Sequence, residues 1–216
     1  SNLMTDFGFT EEKSHFFGNF VKIFNSNSDY ENTLEIKLQE VSNDKYLKLY
    51  KIESNLVDYN VQTLENSINF TQERENLFFG FNASVYETIQ SDYNDKYEFI
   101  LPELAIDKNL FSDDRFGSLG LQTNYRTHNY DTNKKTSFLV NDLNYESRDN
   151  LFNNLINTKI LANFKNINYE SKNVDIYKDD LTSEVFGALG FLSEIKLQKL
   201  KNDSFHSLKP KFLMRF

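Results

Sequence analysis

Between Phe116 and Glu146 the chain reads FGSLGLQTNYRTHNYDTNKKTSFLVNDLNYE, and its side chains alternate in character. Leu119, Leu121, Thr123, Tyr125 and Thr127 hold one parity, whereas Gly120, Gln122, Asn124, Arg126 and His128 hold the other. Successive strand side chains point to opposite faces, so a period of two sorts the first set toward an apolar medium and the second toward water. After Asp131, Thr132 and Asn133 a second arm sets Leu139, Asn141, Leu143 and Tyr145 against Phe138, Val140, Asp142 and Asn144, less cleanly. The stretch predicts two long strands joined by a polar turn.

The same rhythm runs through most of the chain. A short strand is expected over Leu3–Phe9 and a longer one over His15–Phe24, followed by Asn32–Val41, where Leu34, Ile36 and Leu38 oppose Glu35, Lys37 and Gln39. Residues Ser42–Asn60 break the period and suit a short helix or a folded loop inserted between strands. Val61–Phe70 and Asn76–Ile89 predict a hairpin turning around Gln72–Glu75. Its second arm carries the cleanest row, Leu77, Phe79, Phe81, Ala83 and Val85, which is the expected lipid-facing row. About 9 to 11 residues span a bilayer core as a tilted strand, and this run is long enough.

Beyond it, Lys96–Ile106 holds Pro102 in mid-run, which marks an edge, a bulge or a strand end because proline has no N–H for the ladder. A loop is expected over Asp107–Arg115 and a short helix or turn over Asn150–Asn157. Thr158–Tyr169 changes its apolar parity near Lys165, as a bulge or a membrane boundary would make it. Val185–Leu197 and Leu208–Phe216 complete about ten strands, so the fold class is all-β and antiparallel. Strands of this length favour a barrel over a sandwich.

Composition narrows the function. The chain has 21 Phe and 12 Tyr but only 7 Gly and 2 Pro among 216 residues, so its turns fall to Asn, Asp and Ser. That length allows one domain or a large piece of one. With no Cys, disulfides, zinc–thiolate sites and thiol nucleophiles are excluded, and the redox compartment stays open. A net charge of −8 argues against a nucleic-acid partner. No apolar run is long enough for a transmembrane helix, and the mean hydropathy of −0.60 resembles that of a soluble protein. That value does not discriminate, because barrel strands alternate lipid-facing and lumen-facing residues. The opening SNLMTDFGF shows no signal-peptide pattern, so an exported protein would lack its beginning here.

Catalytic constellations are scarce. His15, His128 and His206 show no HxH or HExxH spacing, and each reads as a strand polar-face residue rather than a metal ligand. Asp113–Asp114 and Asp179–Asp180 read as solvated turn residues, not as a glycosidase pair or a calcium loop. There is no GxSxG, P-loop or GxGxxG, and Gly117 and Gly120 read as strand glycines that relieve crowding. No catalytic, cofactor-binding or metal residue is expected. On pattern alone a soluble β-sandwich core fits as well as a membrane barrel.

Four collinear segments carry a resemblance. Glu40–Ile52 (EVSNDKYLKLYKI), Tyr97–Ile106 (YEFILPELAI), Asp107–Ser147 and Leu208–Phe216 (LKPKFLMRF) resemble the outer-membrane LPS-assembly protein family, LptD (OstA, organic solvent tolerance), in its alphaproteobacterial branch. None is an active-site signature; the specificity lies in their order and spacing.

The resemblance implies an antiparallel, up-and-down transmembrane β-barrel in the Gram-negative cell outer membrane. It would receive lipopolysaccharide from a periplasmic Lpt bridge and release it into the outer leaflet, with an LptE-like lipoprotein plugging the lumen. Residues 1–216 would be an internal part of that barrel. The family's N-terminal periplasmic jellyroll, its cysteines, its lateral gate and the remaining strands would lie outside it. Phe212, Met214 and Phe216 alternate toward a terminal Phe as closing strands do, yet the resemblance implies more barrel beyond them.

On this reading Gln122, Asn124, Arg126 and His128 form the expected lumen-facing row, and Arg126 or Lys165 is a candidate contact for lipid phosphate. The rivals are another outer-membrane barrel (a porin or small-molecule transporter), a soluble β-sandwich binding module and, disfavoured by the missing nucleophile motif, an outer-membrane lipase.

Overall fold

The computed structural model describes residues 1–27, 30–90, 95–131, 133–152, 155–201 and 204–216. Strands dominate it: β1 (Asn2–Thr10), β2 (Lys13–Asn27), β3 (Tyr30–Val41), β4 (Thr63–Arg74), β5 (Leu77–Thr88), β6 (Tyr97–Asp113), β7 (Gly117–Tyr130), β8 (Lys134–Glu146), β9 (Asn150–Phe152), β10 (Ile156–Lys172), β11 (Thr182–Ile195), β12 (Leu197–Lys201), β13 (Ser204–Leu208) and β14 (Lys211–Arg215). The one helix among the described residues is α1 (Tyr46–Tyr50). Twelve strands form one antiparallel up-and-down sheet in the order β1-β2-β3-β4-β5-β6-β7-β8-β10-β11-β14, with β9 paired to β10 and a separate β12–β13 hairpin. The expected all-β antiparallel class is thus the observed one.

The differences from expectation are local. The strands that alternation did not announce, β9, β12 and β13, are three to five residues long, too short to show a period. Over Asn150–Asn157, expected as a short helix or turn, Asn150–Phe152 is strand, and residues 153–154 lie outside the described ones. The loop expected from Asp107 to Arg115 is strand as far as Asp113; charge on both parities hid it, because that segment is exposed on both faces. Pro102 lies inside β6, an interior strand. Across β6 and β7, Gln122 bonds Asp107 and His128 bonds Glu98.

Near Lys165 the β8–β10 partners keep one register, from Asn144–Asn163 through Asp142–Lys165 to Phe138–Tyr169. No bulge stands there. The aromatic side chains change sides because Phe138 and Tyr169 pack with Tyr177 of the β10–β11 connection, at ring-centroid distances of 5.1 and 5.8 Å.

The chain divides into two compact units. Unit 1 holds residues 1–106, 124–139 and 168–182, and unit 2 holds 107–123, 140–167 and 183–216.

In unit 1 the hydrophobic core sits beneath the 42–62 connection. Tyr46 and Leu47 of α1, Val57, Phe17, Val41, Leu64 and Ile89 form one buried cluster. A five-residue helix cannot hold itself, so α1 persists through this packing, at about 1.5–3 kcal/mol per large side chain buried. Lys51, in the left-handed region at φ 47°, ends the helix.

Candidate functional site

The registers of β1 to β5 assign the side chains of that ladder to two faces. On one face stand Leu3, Phe7 and Phe9 of β1, Phe16, Phe20 and Phe24 of β2, Leu34, Ile36 and Leu38 of β3, Ile68 and Phe70 of β4, and the row Leu77, Phe79, Phe81, Ala83 and Val85 of β5. Phe70 lies 6.5 Å from Phe24 and 6.2 Å from Phe79 between ring centroids, so the rows touch across strands. Several polar side chains interrupt it and find partners. Lys22 lies over the Phe24 ring, Gln72 donates to Asn32 at 2.9 Å, and the Asn66 amide bonds the Gln39 backbone where β3 and β4 part. At the end away from α1 the face closes on a cation–π pair, Arg74 over Tyr30 at 4.5 Å.

The opposite face carries Phe17, Val21, Ile23 and Phe78, and between them polar side chains that bond one another. Lys37 Nζ lies 3.5 Å from Glu65 and 3.9 Å from Glu35, and Ser67 donates to Glu65 at 2.8 Å. Asn82 donates to Asn69 at 2.5 Å, and Ser84 to Asn82 at 2.6 Å. Burial follows the opposite of the soluble rule. Ser67 and Ser84 are 4% and 1% exposed, whereas Phe7, Phe9 and Ile68 are 67%, 73% and 46% exposed. The 42–62 connection covers part of this polar side: Tyr46 Oη sits 3.3 Å from His15 Nδ1, and His15 Nε2 lies 3.5 Å from Asp6. His15 is therefore a buried packing residue beside Phe17, at 4.8 Å between rings.

Unit 2 repeats the division. Lys165 pairs with Asp142 at 2.8 Å, and Asn163 donates to both Asp142 and Asn144. Asn144 and Asn163, with Asp107, Gln122, Glu146 and Arg215, line a recess of about 580 Å3 that Leu161, Ala162, Ala188 and Leu213 share. The other face presents Phe164, Leu189, Phe191, Phe212, Met214 and Phe216, all strongly exposed.

Of the row expected to face a lumen, Gln122, Asn124, Arg126 and His128 share one parity of β7. Gln122 bonds Asp107 at 2.8 Å in unit 2; His128 reaches Glu98 at 2.5 Å and stacks on Tyr130 in unit 1. Arg126 is exposed and without an ion pair among the described residues, whereas Lys165 is committed to Asp142. Among the described residues no three His, Asp or Glu side chains gather to hold a metal ion. Among the described residues no helix is long and apolar enough to cross a membrane, which says nothing about crossing by strands.

What residue-by-residue reading missed is the connecting chemistry. The Lys37–Glu65 and Asn69–Asn82 pairs join residues whose partners depend on strand register. Outside the strands, Lys96 meets Asp44, and that hydrogen bond, with the Asp44 charge, holds its ammonium pKa above the ordinary value. Comparison with protein-family models and with curated proteins finds no match.

Proposed function

We propose that the chain forms the wall of a membrane-spanning β-barrel, with the apolar face against lipid and the polar face against a wet lumen. The observation that carries this reading is the burial pattern of β1–β5: an apolar face, half-buried along β5 and exposed at Phe7, Phe9, Phe16, Leu38 and Ile68, backs a face whose polar side chains bond one another. A soluble sandwich turns its apolar faces inward against a second sheet. An uncovered apolar face of this extent calls for a partner, and in a bilayer the partner is lipid. The Tyr30–Arg74 pair closing the face suits a membrane–water boundary, where aromatic and cationic side chains collect.

Within that class we read the protein as part of an outer-membrane translocon that places lipopolysaccharide in the outer leaflet. The support is the collinear likeness of Glu40–Ile52, Tyr97–Ile106, Asp107–Ser147 and Leu208–Phe216 to the LptD family. Such a role requires surface rather than bond chemistry, and no enzymatic step is assigned. The polar wall would face an LptE-like lipoprotein, with Arg126 as a cation that makes no ion pair among the described residues. Lipopolysaccharide would arrive from the periplasmic bridge.

Depletion of the protein in a Gram-negative host tests this. Surface-exposed lipopolysaccharide should fall and sensitivity to bulky hydrophobic antibiotics should rise. Unchanged surface lipopolysaccharide sinks the translocon reading, and discrete conductance steps from purified protein in planar bilayers would move it to a porin or transporter.

A further inference from the structure

We propose that a recess at the rim of unit 1 binds the phosphoethanolamine headgroup of a lipid, with Asp95 taking the ammonium and Lys135 and Lys172 the phosphate. The recess measures about 500 Å3, and Asp95, Tyr97, Phe99, Asn129, Lys135 and Lys172 line it. It opens on the apolar side of the sheet. Tyr97 donates to Glu87 at 3.4 Å, and Glu87 continues the row that runs from Leu77 to Val85 along β5. Phe99 follows on the same side of β6, its ring 6.2 Å from that of Tyr97. Glu98 and His128 meet on the opposite side, which turns Asn129 toward the recess.

Two unanswered groups give the recess its ligand chemistry. Asp95 Oδ2 is buried and has no hydrogen-bond partner, a state that costs free energy until a donor arrives. Lys135 and Lys172 make no ion pair among the described residues, whereas neighbouring Lys134 is held by Asp131 at 3.0 Å. A simple anion would satisfy the lysines and be repelled by Asp95. A simple cation would do the reverse. A zwitterion carrying a primary ammonium and a phosphodiester answers both with charge-assisted hydrogen bonds.

The setting suits a lipid. Long lysine side chains lay their stems along apolar surface and raise their charges to the interface, and aromatic side chains mark the same depth. The acyl chains would then follow the Leu77–Val85 row. This inference rests on the reading that the apolar face meets lipid.

The test separates the two. Flotation of the 216-residue chain on phosphatidylcholine vesicles reads membrane placement alone. Native mass spectrometry of the detergent-folded chain, offered equal phosphatidylethanolamine, phosphatidylcholine and phosphatidylglycerol, reads the recess. Phosphatidylethanolamine should be retained about tenfold over the others, the size of one charge-assisted hydrogen bond. Choline carries a cation without a donor, and glycerol carries no cation.

Asp95→Asn should level phosphatidylethanolamine with phosphatidylcholine, and the pair Lys135→Gln and Lys172→Gln should lower retention of all three. Soluble O-phosphoethanolamine should displace the lipid poorly; displacement at equal concentration overturns the assignment to a lipid. Equal retention of the three lipids, or a preference that survives Asp95→Asn, overturns the proposal while flotation leaves the barrel standing. A chain that does not float removes both.

Discussion

At Gly117 the backbone takes φ +97°, and a Cβ built there would stand 2.1 Å from the carbonyl oxygen of Glu146. Tyr145 Oη donates to the Phe116 carbonyl at 2.6 Å beside it, so the start of β7 lies against the end of β8 at a distance only glycine permits. Gly120, three residues on, would place its Cβ no closer than 4.0 Å to Lys108 O. Gly117→Ala is therefore expected to cost about 3 kcal/mol or more, from the left-handed backbone plus the clash, and Gly120→Ala well under 1. Urea midpoints of the detergent-folded variants check the contrast, and equal midpoints would mean that this contact holds nothing. Sequence placed both glycines in a strand but did not separate them, because positive φ and a neighbour's carbonyl belong to the folded backbone. Gly8 is a milder case. A Cβ there would come 2.7 Å from His15 Cε1, a side-chain atom, so Gly8→Ala should displace the His15 ring and weaken its contact with Tyr46. Loss of the His15–Tyr46 coupling in side-chain NMR, with the sheet intact, is the expected result.

Elements show where legibility ended. The 42–62 connection was recognisable as something other than a strand because its period fails. That it packs on the side of His15 and Phe17 was not, since Phe16 and Phe17 are both large and apolar and only register assigns them to opposite faces. Lys96 ties this connection down through Asp44, and the sign of its titration follows from its raised pKa. The contribution is complete below the unfolded-state value near 10.5 and is lost as pH rises through the higher folded value. Between pH 9 and 12, cleavage within 42–62 by an alkaline protease should increase while the strands stay intact, and Asp44→Asn should produce the increase already at pH 9. Cleavage independent of pH and of Asp44 would show that the apolar cluster alone holds the connection. Because the Lys96 side chain is more than a third exposed, solvent screening keeps the effect local.

For the whole molecule the governing fact is that the buried face of β1–β5 is the polar one. Alternation in the sequence announced two faces; it did not say which would be covered, and a sandwich core fitted equally well. Register decided it by bringing Lys37, Glu65, Asn69 and Asn82 within reach of one another and setting Ile36, exposed Ile68 and Phe70 side by side on the other face. Adjacent residues of β4 turn this into a measurement. Phe70→Arg puts a charge on the apolar face, and if that face lies in lipid the cost is about 2–4 kcal/mol near the bilayer midplane. Asn69→Arg, one residue away, gives up the hydrogen bond from Asn82, about 0.5–1.5 kcal/mol, and meets water or the acidic side chains of the polar wall. Folding into vesicles, followed by the mobility difference between heated and unheated samples, should therefore fail for Phe70→Arg and persist for Asn69→Arg. A soluble sheet covered by another protein predicts something else: neither variant would depend on lipid, and Phe70→Arg would raise solubility in buffer. A gain in detergent-free solubility for Phe70→Arg, with no loss of folded protein, would remove the membrane reading and with it the translocon.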